Sequence, residues 1–356
     1  MTTFCTAEQL KDLCVSQSAT LQDALEAIQR GSKQIALVVA GEGRLLGTVT
    51  DGDIRRAILA QTPFDASVAE IMQRSYQSGR FGMSAREIYK AMRSASVRHL
   101  PLLDEQRVLR DVAWISDLIQ DKQMEMSAVV MAGGFGSRLH PLTLDLPKPM
   151  LPVGDRPLLE ILIRQLKQAG VRDVSITTHY LPEKIEQYFG NGEAFGVDLN
   201  YVSEDFPLGT AGALGLMVPH DKPLLVVNGD ILTGVDFRAM FHFHRESAAD
   251  LTVAVRTFEV NLPYGVIDCA GPYVKSLTEK PTMGFFVNAG IYLLEPSVLD
   301  LVPSGGRYDM TDLIQRLLDE KKAVASFPIQ EYWLDIGQHS DYEKAQEDLR
   351  NGMINI

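Results

Sequence analysis

Residues 127–139 read Ser127-Ala-Val-Val-Met-Ala-Gly-Gly-Phe-Gly-Ser-Arg-Leu139, and Pro147-Lys148-Pro149 follows closely. The short apolar run that opens this stretch reads as a buried strand. Gly133, Gly134 and Gly136 then let the backbone turn sharply and approach a ligand that side chains would block. Arg138, on the helix expected to follow, and Lys148 stand as two cations beside the turn. Glycines, exposed N–H groups and two cations suit a triphosphate.

Outward from this loop, apolar strand candidates recur at 128–131, 174–177, 199–202, 224–228, 251–255 and 290–294. Helical spacing at 157–169 and 182–189 falls between several of them. Strands alternating with helices predict an α/β domain over residues 127–356, with a Rossmann-like, doubly wound, mainly parallel (mixed) sheet. Ligands of such sheets bind beyond the carboxyl ends of the strands.

A chain of 356 residues suggests two or three domains, and 46% hydrophobic content is enough for a sizeable core. The formal charge of −12 argues against a general nucleic-acid binder. Cys5, Cys14 and Cys269 are scattered, so neither a disulfide framework nor a Cys-x-x-Cys site is implied. The opening MTTFCTAEQLKDL lacks the charged and apolar regions of a signal peptide, and no apolar run approaches the roughly 18 residues of a membrane span. The expectation is a soluble cytoplasmic protein.

Residues 1–121 repeat themselves, with units of about 8–62 and 66–121. At an offset of 64 residues, Leu45-Leu-Gly-Thr-Val-Thr-Asp-Gly-Asp-Ile54 falls on Leu109-Arg-Asp-Val-Ala-Trp-Ile-Ser-Asp-Leu118. Each unit reads as helix, strand, turn, strand and helix, an α+β pattern. This repeat resembles a CBS pair, through Gly47-Thr-Val-Thr50-Asp-Gly-Asp53. The resemblance implies an adenine nucleotide held by Thr50 and Asp53, with Asp117 as the retained counterpart in the second unit. There Trp114 replaces the hydroxyl and Asp111 the glycine, so one nucleotide site is expected rather than two. A packing or dimerisation module, and hence a homo-oligomer, is the other reading. Polar residues 121–126 read as the linker.

The glycine loop fits neither common nucleotide motif. A dinucleotide fingerprint would need glycine where Leu139 stands, and a Walker loop would need Gly-Lys-Ser or Gly-Lys-Thr. Instead, Ala132-Gly-Gly-Phe-Gly-Ser-Arg-Leu-His-Pro-Leu-Thr143 with Leu146-Pro-Lys-Pro-Met-Leu-Pro-Val153 resembles the signature of sugar-1-phosphate nucleotidylyltransferases. The likeness continues in order through Pro207–Leu214, Asn228-Gly-Asp230, Thr278-Glu-Lys-Pro281, Asn288-Ala-Gly290 and Trp333-Leu-Asp-Ile-Gly337.

That resemblance implies transfer of a nucleoside monophosphate from a triphosphate to a sugar 1-phosphate, with pyrophosphate leaving. Positioning and charge neutralisation dominate such chemistry. Arg138 would neutralise the β and γ phosphates, and Lys148 the α-phosphate and the incoming phosphate. Ala132, Gly133, Gly134, Gly136, Ser137, Gly209 and Thr210 would line the nucleotide. Gly265, Glu279, Lys280 and Asn288 would line the sugar phosphate. Asp230 and Asp335 would share a Mg²⁺, an ion that takes few protein ligands. His179 is a candidate for the sugar pocket. His242 and His244 invite a metal reading, but residues two apart on a helix diverge.

The segments 204–214 and 285–290 look most like the guanylyltransferase side of the family. The fusion to a CBS pair is similar to enzymes making GDP-glucosamine for nonulosonic (legionaminic) acid pathways. The expectation is therefore GTP with glucosamine 1-phosphate. Mannose or heptose 1-phosphate, and thymidylyl or uridylyl transfer, stay open. A non-catalytic nucleotide-sensing subunit is the competing class, although it should have lost one of Arg138, Lys148, Asp230 and Asp335.

Overall fold

The computed structural model describes residues 4–31, 33–95, 97–118, 123–218 and 221–354. The first residues of the expected linker, Asp121 and Lys122, lie outside the described residues, as do Met1–Thr3 of the N-terminal stretch. Chain contacts divide into two compact units, Met1–Lys122 and Gln123–Ile356.

The first unit uses one topology twice. Its first half holds α1 (Ala7–Asp12), β1 (Cys14–Ser16), α2 (Leu21–Gly31), β2 (Ile35–Val39), β3 (Leu45–Thr50), α3 (Asp51–Leu59) and α4 (Val68–Ile71). The second half holds β4 (Gly79–Arg80), α5 (Ala85–Ala95), β5 (His99–Leu103), β6 (Leu109–Trp114) and α6 (Ile115–Leu118). β1 runs parallel to β2 and β2 antiparallel to β3; β4, β5 and β6 repeat that arrangement. Two helices open alike, with Thr20 capping against Asp23 and Ser84 against Glu87.

In the second unit β7 (Ser127–Met131) is followed by the short β8 (Pro152–Val153) and β9 (Arg156–Pro157), then α7 (Leu158–Ala169) and β10 (Asp173–Thr178). Next come α8 (Pro182–Phe189), β11 (Asp198–Ser203), β12 (Leu224–Asn228), β13 (Ile231–Thr233), α9 (Phe237–Glu246) and β14 (Leu251–Asn261). The chain continues through β15 (Val266–Ala270), β16 (Tyr273–Thr278), β17 (Thr282–Leu294), α10 (Pro296–Leu299), α11 (Met310–Asp319), β18 (Val324–Pro328), β19 (Trp333–Asp335) and α12 (His339–Arg350).

Seven strands form one mixed sheet in the order β11-β10-β7-β12-β17-β14-β18. Neighbours are parallel except at β17, which is antiparallel to both β12 and β14. The core strands are apolar on both faces: Ala128, Val129, Val130 and Leu224–Val227 are all essentially inaccessible. Alternate residues Val129, Leu224, Val226 and Leu294 pack with Met310, Leu313 and Leu317 of α11. Sequence order departs from β7 toward β10 on one side and toward β12 on the other. The switch point, where such sheets hold ligands, lies between β7 and β12.

Two expectations change. Ser137–Leu139 is a single 3₁₀ turn and not the start of an α-helix; the next α-helix begins at Leu158. Pro141, Pro147 and Pro149 remove backbone donors in between. Likewise β14 and β17 extend well beyond 251–255 and 290–294. Their outer halves pair from Arg256↔Val287 to Asn261↔Thr282, but they are mostly exposed and carry no buried apolar pattern to read.

Candidate active site

Four strand ends meet at the carboxyl edge of the sheet. β7 delivers the glycine loop, β10 delivers Thr178 and His179, β11 delivers Glu204, and β12 delivers Asn228 and Asp230. Gly136 adopts φ +62°, and a Cβ there would stand 3.0 Å from the Lys148 Cβ. The glycine therefore lets the lysine segment fold against the loop. Thr143 Oγ1 donates to the Gly136 carbonyl at 2.8 Å, and the Tyr180 hydroxyl donates to the Leu144 carbonyl at 2.7 Å. Phe135 sets its ring edge-on to His179 at 5.2 Å.

Lys148 is buried, and its Nζ lies 2.6 Å from Asp230 Oδ2. Asp335 reaches the same place through β19, which pairs antiparallel with β13 so that Ile231 faces Asp335. Although Asp335 is exposed by surface area, crowding of its carboxyl by surrounding protein, and then the negative charge of Asp230, push it above its usual range; Lys148 and Arg138 oppose this. Arg138 is exposed and makes no hydrogen bond or ion pair among the described residues. Two carboxylates that destabilise one another, with a buried lysine on one of them, suit a hard divalent cation. Among the described residues, no group of three or more histidine, cysteine or acidic side chains forms a metal cluster. Mg²⁺ commonly uses one or two carboxylates, so Asp230 and Asp335 fit that ion.

Glu204 is only 6% exposed. Its Oε2 accepts from the Leu208 N–H at 3.0 Å, whereas no donor among the described residues reaches Oε1. A Cβ on Gly133 would lie 2.6 Å from that Oε1, which places the carboxylate directly against the glycine loop. Glu204 falls in the 204–214 segment with no role assigned from sequence; its signal is a carboxylate one residue past a strand, at the sheet's carboxyl edge. Asn228 was also missed. Its Oδ1 is buried without a donor among the described residues, two positions before Asp230, and Thr178 Oγ1 is in the same state at the end of β10.

The other expected residues distribute unevenly. Ala132 is buried under the loop, its N–H donating to Thr177, while Gly134 and Ser137 are exposed. Thr210 N–H donates to Asp309 Oδ1 at 3.0 Å, and its Oγ1 accepts from Met310 N–H at 2.8 Å. Gly209, at φ +83°, faces the same Asp309. The polar groups of this pair thus hold the loop to α11. Gly265 and Glu279 do come together, since a Cβ on the glycine would sit 2.8 Å from Glu279 Oε2. Lys280, in a left-handed conformation, and Glu279 lack ion-pair partners among the described residues. Asn288 lies on β17 and accepts from Gly290 N–H at 2.9 Å. His179 lines the glycine loop, with Nδ1 2.7 Å from the Glu204 carbonyl.

His244 is fully buried. Its Nδ1 lies 2.8 Å from Thr252 Oγ1 and its Nε2 lies 3.2 Å from Glu295 Oε1, so both ring nitrogens join α9 to the sheet. In the first unit, Asp53 accepts from the Thr50 N–H and hydroxyl on one oxygen and from Arg56 and Gln73 on the other. Asp117 pairs with Lys33 at 3.5 Å, and that ammonium also lies 4.2 Å from the centre of the buried Trp114 ring.

Residues 127–352 match the nucleotidyl transferase family, and residues 9–60, the first repeat, match the CBS domain. The chain is 35% identical to the mannose-1-phosphate guanyltransferase of Debaryomyces hansenii, over 61% of this chain and 62% of that one. It is 33% identical to the mannose-1-phosphate guanylyltransferase of Mycobacterium tuberculosis, over 64% and 66%. The chain therefore spans slightly under two thirds of the length of these relatives. Among solved structures, a Bacillus anthracis protein provisionally described as a glucose-1-phosphate thymidylyltransferase, bound to sucrose, superposes with TM-score 0.54. It shares 27% identity, covering 65% of this chain and 97% of that one. A UDP-glucose pyrophosphorylase with UDP-glucose, at TM-score 0.50 and 21% identity, shares the fold.

Proposed function

Because the chain belongs to the nucleotidyl transferase family, we propose that it transfers a nucleoside monophosphate from a triphosphate to a sugar 1-phosphate and releases pyrophosphate. The observation that carries this reading is the meeting of the Lys148–Asp230 pair, Asp335 and Arg138, which has no ion-pair partner among the described residues, around the glycine loop. One bond forms, from a sugar phosphate oxygen to the α-phosphorus, and one breaks, from that phosphorus to the pyrophosphate oxygen. Lys148 counters the charge that builds on the phosphate being transferred. Arg138 counters the charge on the leaving pyrophosphate. The loop amides at 133–136 position the chain of phosphates. A Mg²⁺ on Asp230 and Asp335 would supply further charge neutralisation when bound. Little else is required of the protein in phosphoryl chemistry of this kind.

For the base, the reading is guanine. The buried Glu204 has Oε2 engaged by the Leu208 N–H and leaves Oε1 against the nucleotide loop, an acceptor for one of guanine's two donors, N1–H or the 2-amino group. The guanylyl-transferring relatives support the same choice. For the sugar, these relatives favour mannose 1-phosphate. The Glu279 carboxylate, without an ion-pair partner among the described residues and set against Gly265, keeps glucosamine 1-phosphate as a second reading, since it could pair with an ammonium at C2. The N-terminal repeat is read as an adenine-nucleotide module acting through Thr50 and Asp53. Pyrophosphate release, measured for four nucleoside triphosphates against mannose, glucosamine, glucose and heptose 1-phosphates, tests both halves of the assignment.

A further inference from the structure

The turn that carries Asp335 into the site is held from α12, by a residue outside all the motifs above. Ile336 N–H donates to the Asp230 carbonyl at 3.0 Å, joining the two carboxylate-bearing segments backbone to backbone. The next two amides, of Gly337 and Gln338, both donate to Oδ2 of Asp341, at 3.1 and 2.8 Å. Gly337 is buried. A Cβ there would stand 3.5 Å from Asp341 Oδ2, 3.8 Å from Arg138 Nη1 and 3.9 Å from Asp335 Oδ1. Three charged groups converge on one glycine.

We propose that Asp341 is a positioning residue for the metal-holding carboxylates: by fixing the Gly337 and Gln338 amides it sets the direction in which Asp335 faces Asp230. The proposal rests on the reading of Asp230 and Asp335 as joint ligands of a divalent cation. Helix capping is the competing role, because Asp341 is the third residue of α12 and completes a capping box with Gln338. Capping, however, needs only the Gln338 amide. The bond to Gly337 lies outside the helix, one residue closer to Asp335 than the cap. Residues that orient a metal ligand in this way commonly change metal affinity by about 10- to 100-fold when removed. The bonds are what matter here: an additional negative charge beside two carboxylates does not help them share a site, so asparagine can serve.

The test is Mn²⁺ binding to the full chain, followed by the electron paramagnetic resonance of free Mn²⁺, with the Mg²⁺ dependence of pyrophosphate release alongside. Asp341→Ala is expected to weaken Mn²⁺ binding about tenfold or more and to raise the half-saturating Mg²⁺ in parallel. Asp341→Asn should stay within about threefold of the parent protein. Gln338→Ala, which removes only the cap, should lower the melting temperature and leave Mn²⁺ binding unchanged. Unaltered Mn²⁺ binding in Asp341→Ala, a loss in Asp341→Asn as large as in Asp341→Ala, or an equal loss in Gln338→Ala would each overturn the proposal. Asp230→Asn separates the two readings: parent-like Mn²⁺ binding there would remove the joint-ligand premise itself.

Discussion

Lys148 Nζ lies 2.6 Å from Asp230 Oδ2, joining two residues 82 positions apart in the chain. The lysine enters on a 3₁₀ turn that follows the glycine loop, and the aspartate enters past the end of β12. With its ammonium almost fully buried, Lys148 depends on that carboxylate until phosphates arrive to share it. Removing the cation while keeping the stem, as in Lys148→Met, should lower kcat for pyrophosphate release by about 100-fold or more, with a smaller effect on KM. Steady-state rates with GTP and a sugar 1-phosphate check this. A change confined to KM would place Lys148 in ground-state binding only.

Glu204→Gln replaces one carboxylate oxygen by an amide donor beside the loop. The expected result is a loss of about 10- to 100-fold in kcat/KM with GTP, with little change for UTP or dTTP. Competition assays with mixed triphosphates read the ratio directly. An equal loss for every base would mean that Glu204 shapes the loop and does not select the base.

Gly133→Ala probes the same wall from the other side. Its Cβ would sit 2.6 Å from Glu204 Oε1 and 3.4 Å from the His179 Cβ, so the glutamate must move. Reduced nucleotide affinity is expected, together with a stability loss of about 1–3 kcal/mol in denaturant titration. Parent-like GTP affinity would show that Glu204 can yield without consequence.

The sequence made the loop, both cations and Asp230 legible because each belongs to a short local pattern: glycines after an apolar run, lysine between prolines, aspartate after a strand. Asp335 was legible only through its motif, since its pairing with Asp230 depends on β19 docking on β13 about one hundred residues later. Glu204 carries only the faint pattern of a carboxylate one residue past a strand, Asn228 lies inside the Asn228-Gly-Asp230 motif with no role of its own, and Asp341 carries no local pattern. Their meaning lies in which atoms are buried without a donor, or which amides they hold, and those facts exist only after the strands have assembled. The outer halves of β14 and β17 were unreadable for a related reason: an exposed ribbon leaves no burial period in its sequence.

The pH behaviour of Asp335 follows from its surroundings. Crowding by surrounding protein and then the charge of Asp230 raise its folded pKa above the unfolded value of about 3.9. The stability contributed by the protonated form is complete below the unfolded value and is lost as pH rises through the folded one. In the absence of metal at neutral pH, the ionised carboxylate therefore opposes folding, but only weakly, because Asp335 is exposed and solvent screens its charge. Asp335→Asn should melt at a slightly higher temperature than the parent at pH 7 in EDTA, with the gap closing toward pH 4. A lower melting temperature at pH 7 would contradict this account.

In the N-terminal unit, Asp53 already accepts from four donors, so Asp53→Ala should lower the melting temperature without any ligand, by the equivalent of about 1–2 kcal/mol. AMP, ADP or ATP should raise the melting temperature of the parent protein and not of the variant. A retained ligand shift in Asp53→Ala would leave Asp53 as a helix cap only.

The most direct measurement is product identification by mass spectrometry after incubating the protein with Mg²⁺, GTP and mannose 1-phosphate or glucosamine 1-phosphate. A GDP-linked sugar and an equal amount of pyrophosphate are expected, with Asp230→Asn forming neither. No nucleotide sugar from any pairing of triphosphate and sugar 1-phosphate would contradict the proposed activity.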